Sequence, residues 1–187
     1  IAGGDLDAPI PSAGDDEIGR MADALTVFRD TAAEVRRTNL REIAEARLRL
    51  DNAIESISEG FALYGADERL VVANRRYREI MLGARAAECQ TGMAFSEILA
   101  ISAAAGRFPR ALQDPGWIDR QLGRFRSGTA QFLQEADGNS WNQISFRRTD
   151  EGGTVAVISD ISDLKRLSDE LQRAKDIAEA ANEAKSA

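Results

Sequence analysis

The sequence contains no histidine and only one cysteine, Cys89, and these two shortages exclude much of enzyme chemistry. Histidine is the commonest general base and the commonest metal ligand in proteins. A lone thiol can form neither a disulfide within the chain nor a multi-thiolate metal site, and such cysteine usage is typical of a reducing compartment. The composition therefore predicts a cytoplasmic setting, no catalytic residue and no metal site.

Long apolar runs and an excess of basic charge are also missing. No segment approaches the roughly 20 apolar residues that a membrane-spanning helix needs, and no charged-then-apolar leader opens the sequence, so we expect the chain itself to be soluble. The 24 Lys and Arg residues are outnumbered by 31 Asp and Glu residues, which gives a net charge of −7. Because this charge repels phosphate backbones, we expect no nucleic-acid partner.

Aromatic residues are scarce outside the middle of the chain. The sequence has 7 Phe, 2 Trp and 2 Tyr, and all but Phe28 fall between Phe61 and Phe146. Aromatic side chains fill globular cores. The flanks, residues 16–57 and 162–187, are instead rich in Ala, Glu, Arg and Lys, which is the composition of long helices. The sequence therefore predicts a helix, a globular domain and a second helix.

Apolar residues in both flanks recur at alternating steps of three and four, which is the seam of a coiled coil. In the first flank these are Ile18, Met21, Leu25, Phe28, Ala32 and Val35, and in the last Leu164, Leu167, Leu171, Ala174, Ala178 and Ala181. Steps of four from Val35 to Asn39 and Ile43 form a stutter, which locally unwinds a supercoil. We expect a parallel homodimer; the alternative is an amphipathic helix lying on its own domain.

The middle of the chain, residues 48–161, reads as mixed α and β. Short alternating runs predict strands, apolar faces at helical spacing predict helices, and Gly83 and Pro109 are among the breakers between them. In chain order the predicted elements are strands 61–64 and 69–73, helices 75–82, 94–105 and 115–126, and strands 130–135, 140–148 and 154–159. This order favours an α+β fold with one antiparallel sheet and helices on one face.

Two motifs near the start resemble HAMP domains, the relay modules beneath bacterial receptors. Gly4-Asp5-Leu6-Asp7-Ala8-Pro9-Ile10 is similar to the connector, and Asp16-Glu17-Ile18-Gly19-Arg20-Met21 to the start of the second helix. The first HAMP helix has no counterpart in the sequence. The residues to which the resemblance gives a role are Gly4, Leu6, Ile10, Glu17 and Gly19. A glycine-rich loop before an acidic helix start is the alternative interpretation.

The middle of the chain resembles a PAS domain. The similarity lies in Ser58-Glu59-Gly60-Phe61, Asp67-Glu68-Arg69-Leu70, Val72-Ala73-Asn74 and the ending from Gly152 to Ser162. It implies a five-stranded antiparallel sheet, flanked here by long coiled-coil helices. Asp160, Ile161 and Ser162 match the motif by which PAS domains hold their exit helix, with Asp160 accepting hydrogen bonds across the junction and Ser162 capping the first turn. The alternative is an N-cap without a signalling role.

Residues 176–187 resemble the helix that runs into the dimerisation and phosphotransfer domain of histidine kinases. The resemblance implies a sensing and transmission module of a membrane-bound two-component sensor kinase. The parent protein would lie in the bacterial inner membrane, with upstream transmembrane helices. Its downstream kinase domain would use ATP and Mg²⁺ and pass a phosphoryl group to a response regulator. Two alternatives stay open: a structural dimerisation spacer, and the sensor segment of a diguanylate or adenylyl cyclase.

These resemblances divide the chain into a partial HAMP domain (1–40), a linker helix (41–57), a PAS domain (58–161) and a signalling helix (162–187). A pocket between sheet and helices is predicted to be lined by Phe95, Ile98, Leu99, Phe132, Ile144 and Val157, although plain core packing is the alternative. The lack of histidine excludes histidine-ligated haem. The residues around Cys89 do not match the flavin-adduct motif. We therefore expect no cofactor, with flavin or a small metabolite left open.

Overall fold

The computed structural model of the chain describes residues 17–186. Helices and strands follow one another as α1 (Glu17–Glu55), β1 (Gly60–Tyr64), β2 (Leu70–Ala73), α2 (Arg75–Leu82), α3 (Phe95–Ala104), α4 (Pro109–Gln113), α5 (Trp117–Ser127), β3 (Gln131–Ala136), β4 (Ser140–Arg148), β5 (Thr154–Asp160) and α6 (Ser162–Ser186). Short 3₁₀ helices occupy Gly83–Glu88 and Asp137–Asn139. The chain divides after Ala53 into two compact units.

In the first unit, α1 is a continuous helix that spans the predicted stutter. Glu45 pairs with Arg41 and Arg49, one turn away on either side, and such pairs support an exposed helix. Its large apolar side chains are nevertheless exposed: Met21, Leu25, Val27, Phe28, Val35, Leu40, Ile43, Leu48 and Leu50. Helical propensity alone stabilises a helix only weakly in water, so a long exposed helix needs packing contacts. The exposed apolar surface of α1 is suited to such contact with another helix.

The second unit is built on one antiparallel sheet of five strands in the order β2-β1-β5-β4-β3. Alternate residues of the strands face the helices. Ala62 and Tyr64 of β1 and Ala156 and Ile158 of β5 are buried in this way, and they form one core with residues of α2, α3 and α5. The predicted α+β fold with a five-stranded antiparallel sheet is confirmed.

Aromatic rings form the centre of this core. Phe95 and Phe125 stack with ring centroids 4.3 Å apart, and Tyr64 and Phe146 approach this pair edge-on at 5.1 to 5.8 Å. Each such pair contributes about 0.5–1.5 kcal/mol beyond its buried area. The hydroxyls of Tyr64 and Tyr77 share a hydrogen bond of 2.7 Å, and burial raises the pKa of both phenols. The two tyrosines are therefore neutral structural residues.

The prediction missed three short helices, α4 and the two 3₁₀ helices, because all of them are too brief to show a periodic pattern. Gly83 and Pro109 were interpreted as breakers. Gly83 does end α2, with a φ of 55°, but it also begins the 3₁₀ helix that follows, and Pro109 begins α4. A proline fits the first position of a helix because its fixed φ suits the helix and no N–H is needed there. A breaker residue at a helix start carries the same sequence signal as one in a loop.

Gly60, the first residue of β1, lets α2 lie close to the sheet. A Cβ at this position would lie 3.1 Å from Tyr77 Cα, 3.2 Å from Ile80 Cδ1 and 3.3 Å from Ile158 Cβ. These distances are shorter than ordinary van der Waals contact. Gly123, in the middle of α5, has no such neighbour within 4 Å.

We predict that Gly60→Ala lowers the free energy of unfolding by about 1–3 kcal/mol, because the added methyl pushes α2 away from β1. Gly123→Ala is the matched control, and it should raise the same quantity by about 0.5–1 kcal/mol, since alanine stabilises an open helical position. Urea unfolding followed by circular dichroism measures both. Equal stability of the Gly60→Ala variant and the parent would contradict the close packing of α2.

Candidate functional site

The junction between β5 and α6, which we call the exit junction (residues 160–162), is organised by the Asp160 carboxylate. One carboxylate oxygen accepts the backbone N–H of Ser162 at 3.0 Å and its hydroxyl at 2.6 Å. The other accepts a hydrogen bond of 3.2 Å from the Arg76 guanidinium on α2. Asp160 therefore joins the start of α6 to a helix on the face of the sheet.

The first residues of α6 are also joined to β4. Ile161 N–H donates to the carbonyl of Trp141 at 2.8 Å, and Trp141 N–H donates to the Ser162 hydroxyl at 2.9 Å. These contacts extend the β4–β5 ladder by one step beyond the Asn142–Asp160 pair. The group that receives the helix's first amide is thus the Asp160 carboxylate rather than the predicted Ser162 hydroxyl, which is turned towards β4.

Hydrogen bonding holds Asp160 in its charged form. The pKa of Asp160 is lowered, mainly by the hydrogen bonds from the Ser162 hydroxyl and amide, and further by the positive charge of Arg76. A carboxylate at the first turn of a helix also interacts favourably with the helix dipole. The junction is therefore assembled around a charge that is present at neutral pH.

A second junction, the entry junction (residues 54–59), connects the end of α1 to β1, and Asn74 organises it. The Asn74 amide nitrogen donates to the carbonyls of Ile54, Ile57 and Glu59 at 3.2, 3.4 and 2.8 Å. Its side-chain oxygen accepts the N–H groups of Phe61 and Tyr77, both at 2.9 Å. Asn74 is fully buried and is also the N-cap of α2. One side chain thus ties the end of α1, β1 and α2 together.

Glu55, the last residue of α1, adds a charged contact to the entry junction. Its carboxylate accepts the backbone N–H of Arg75 at 2.8 Å and the guanidinium of Arg78 at 2.9 Å. The pKa of Glu55 is lowered, first by the hydrogen bond from the Arg75 amide and also by Arg78, while burial opposes this shift. The prediction did not find the entry junction. An asparagine before a helix indicates an N-cap, but its other partners lie 13 to 20 residues upstream.

The predicted ligand pocket corresponds to a cavity of about 10 Å³ between the sheet and the helices. Of the residues named for the pocket, Phe95, Leu99 and Ile144 line this cavity, whereas Ile98 is buried beside it in the core. Phe132 is partly buried and packs against Phe146, with ring centroids 6.0 Å apart.

Val157 was wrongly placed in the pocket. Successive residues of a strand point to opposite faces, and Ala156 and Ile158 take the core face of β5. Ile158 therefore lines the cavity, and Val157 lies on the other face of the sheet, opposite Phe61 of β1. A register that is wrong by one residue reverses every such assignment.

One polar atom at this cavity lacks a partner. Among the described residues, Trp117 Nε1 is the buried side-chain nitrogen or oxygen without a hydrogen bond, although Trp117 is only 4% exposed. Beside it, the buried amides of Gln121 and Gln134 share a hydrogen bond of 3.2 Å. A buried indole N–H normally has an acceptor. The cavity is large enough for about one water molecule.

Other candidate sites have weaker support. Burial raises the pKa of the Cys89 thiol, which disfavours a reactive or metal-binding thiolate. Residues 17–186 contain no cluster of three metal-ligating side chains and no helix with the length and apolarity required to cross a membrane. Of the HAMP residues, Glu17 and Gly19 lie at the start of α1, and Gly4, Leu6 and Ile10 lie outside the described residues.

Comparisons with known proteins agree with a sensory domain joined to signalling helices. The family model of the PAS fold matches residues 54–169, more than half of the chain, and the chain belongs to this family. A second family model, the HAMP domain, matches residues 1–34. Together the two domains make the chain a signal-sensing and transduction module of a sensor protein. HAMP domains occur in dimeric, membrane-anchored sensors.

A curated relative and two solved structures are similar to parts of the chain. The non-motile and phage-resistance protein of Caulobacter vibrioides is 34% identical over 142 residues, which cover 76% of this chain and 15% of that protein. The PAS domain of an HTR-like protein from Haloarcula marismortui is 20% identical, covering 63% of this chain and 99% of that one, with a TM-score of 0.39. A domain of a sensory box sensor histidine kinase/response regulator from Geobacter sulfurreducens is 18% identical, covering 65% and 96%, with a TM-score of 0.34.

We predict that Asp160→Ala loosens the start of α6. The change removes the acceptor of the first helical amide, and the loss of such a cap costs about 1 kcal/mol. Hydrogen exchange of the first-turn amides of α6 should accelerate by about fivefold. Asp163→Ala is the control, because Asp163 lies in the same turn but pairs with Arg166 of its own helix. Equal acceleration in both variants would contradict the role given to Asp160.

The two junction carboxylates also predict a pH dependence. The pKa values of Glu55 and Asp160 are lowered from their ordinary values of 4.5 and 3.8, so their contribution to stability is present above those values and is lost as the pH falls below them. A Glu55→Gln/Asp160→Asn variant should be less stable than the unmutated chain at pH 7, and this difference should shrink as the pH falls below 3.8 through the lowered pKa values of the two carboxylates. Urea midpoints measured at a series of pH values from 7 downwards test this, and a difference that stays constant over the whole series would contradict it.

Proposed function

We propose that the chain is the sensing and transmission module of a two-component sensor histidine kinase. In this proposal it relays a signal from a membrane receptor through α1 and the PAS domain to α6 and a dimeric kinase core. The observation that carries it is the Asp160 carboxylate, which connects the first amide of α6 both to β5 and to Arg76 on α2. A change in the domain that moves Arg76 or β5 therefore acts on the origin of the output helix.

We further propose that the module works as a parallel homodimer. Large apolar side chains of α6, like those of α1, are exposed to solvent: Leu164, Leu167, Leu171 and Ile177. In a parallel dimer each of these apolar stripes packs against the same stripe of the other chain. A single two-fold axis therefore allows the stripes of both α1 and α6 to be buried. The HAMP match to residues 1–34 supports a dimer in particular, because HAMP domains occur in dimeric sensors.

The kinase output is supported by the sequence resemblance of residues 176–187 to the lead-in of a phosphotransfer helix. The parent protein would then use ATP and Mg²⁺, pass phosphate to a response regulator, and lie in the bacterial inner membrane. Incubation of the full-length parent with radiolabelled ATP tests this. Acid-labile phosphate on the protein supports a phosphohistidine, whereas cyclic di-GMP made from GTP, or cyclic AMP made from ATP, would indicate a cyclase.

The relay is separated from a structural spacer by the same assay. Asp160→Ala in the full-length parent should change autophosphorylation at least about fivefold in one direction, while Asp163→Ala leaves it unchanged. A spacer only holds two chains together, so its junction variant would keep the parent's activity as long as the protein stays dimeric.

We predict that Leu167→Asp weakens dimerisation at least about tenfold, because it places a charge in an apolar seam. Val71→Asp is the control: Val71 is also an exposed apolar residue, but it belongs to β2 and lies outside the seams. Light scattering across a dilution series gives the dissociation constants. If the unmutated chain were monomeric at all concentrations, or if both substitutions weakened dimerisation equally, the assignment of Leu167 to a dimer seam would be contradicted.

A second candidate function is the binding of a small molecule in the core, and the unpartnered Trp117 N–H favours it. The occupant would carry a hydrogen-bond acceptor for Trp117 and would lie against Gln121 and Gln134. The present volume fits about one water molecule, so a metabolite or a flavin would have to displace neighbouring rings. Native mass spectrometry of the purified chain tests for a retained ligand, with Trp117→Phe as the variant that keeps a ring but loses the N–H.

A further inference from the structure

The first turn of α2, residues 74–78, contacts both junctions. On the entry side, Asn74 binds three carbonyls of the segment that ends α1, and Glu55 is held by the Arg75 amide and the Arg78 guanidinium. On the exit side, Arg76 donates to Asp160. Residues that are adjacent in this turn therefore bind segments that are about 100 residues apart in the chain.

We propose that this turn couples the two junctions, with Arg76 as the positioning residue, so that displacement of the end of α1 changes how firmly α6 is attached. The inference rests on the proposed relay function and names the residues that carry it. It needs no ligand in the core, which is nearly filled.

The coupling has a rigid side and an adjustable side. Asn74 is fully buried and makes five hydrogen bonds, so the entry segment cannot shift without moving the turn or breaking several of them. The Arg76 and Asp160 side chains are instead 39% and 43% exposed. An exposed ion pair is weak and easily remade. A small displacement of the turn can therefore make or break the contact with Asp160.

A second contact joins the junctions without passing through α2. The Ser159 hydroxyl donates to the Glu59 carboxylate at 2.6 Å, and the Glu59 carbonyl is one of the acceptors of Asn74. An Arg76→Ala/Ser159→Ala variant removes both of these side-chain contacts between the exit junction and the entry junction while leaving Asn74, Glu55 and Asp160 in place. The backbone ladder between β1 and β5 remains, so the variant tests the side-chain route alone.

Hydrogen exchange on this chain tests the coupling in both directions. Glu55→Gln should accelerate exchange of amides 161–168, and Asp160→Asn should accelerate exchange of amides 55–59, by a similar factor because coupling is reciprocal. An exposed ion pair limits the factor to about two- to fivefold. Both remote effects should disappear in the Arg76→Ala/Ser159→Ala background and return in an Arg76→Lys variant that keeps Ser159. They should shrink at high salt, which screens the exposed ion pair.

Glu68→Gln is the control, because it breaks an exposed ion pair with Arg126 that belongs to neither junction. It should change exchange in neither region. The coupling is overturned if each junction variant affects only its own junction, or if the remote effects persist in the Arg76→Ala/Ser159→Ala background.

The same variants in the parent protein separate this inference from the relay itself. A change of autophosphorylation in both the Asp160→Ala and the Arg76→Ala/Ser159→Ala variant supports the coupling. If Asp160→Ala alters autophosphorylation and Arg76→Ala/Ser159→Ala does not, the relay stands and the route through α2 is wrong. If neither variant alters it, both proposals fail.

Discussion

The buried side chain of Asn74 is the constraint on which the rest of the domain depends. Its amide nitrogen donates to carbonyls at and just after the end of α1, and its oxygen caps α2 and accepts the N–H of Phe61 in β1. Removal of the Asn74 side chain would leave several backbone groups unpaired, and each would cost about 1–3 kcal/mol of stability. The position of α2 on the sheet, the end of α1 and the placement of Arg76 are therefore fixed together.

Much of the fold could be predicted because it is encoded locally. The alternation in residues 140–148 and the helical spacing in residues 75–82 agree with β4 and α2 at both ends. The Asp160 motif could be found because its main partner, Ser162, is only two residues away. The roles of Asn74, Glu55 and Arg76 could not be read in this way, since their partners are 13 to 84 residues distant. The placement of Val157 failed because the strand period of two turns a small register error into the wrong face.

The properties of the two junctions suit a relay more than a fixed scaffold. The core is packed with stacked aromatic rings, whereas each junction also contains a charged contact at the surface, Asp160 with Arg76 at the exit and Glu55 with Arg78 at the entry. The formed and broken states of such an exposed contact differ little in free energy, so a small shift of a helix is enough to change which state is favoured. In the proposed relay, the exposed seams of α1 and α6 would carry the change along the helices, and the domain between them would determine how one helix affects the other.

The central claim is that the state of α1 reaches α6 through the domain, and one distance measurement tests it most directly. A spin label attached to an Arg173→Cys variant, in a Cys89→Ser background, reports the separation of the two α6 helices in the dimer. Insertion of one alanine between Arg37 and Thr38 turns the following part of α1 by about 100° relative to the preceding seam. The account predicts that the distance distribution between the two labels shifts clearly when this residue is inserted. An unchanged distribution in a chain that remains dimeric would contradict the relay.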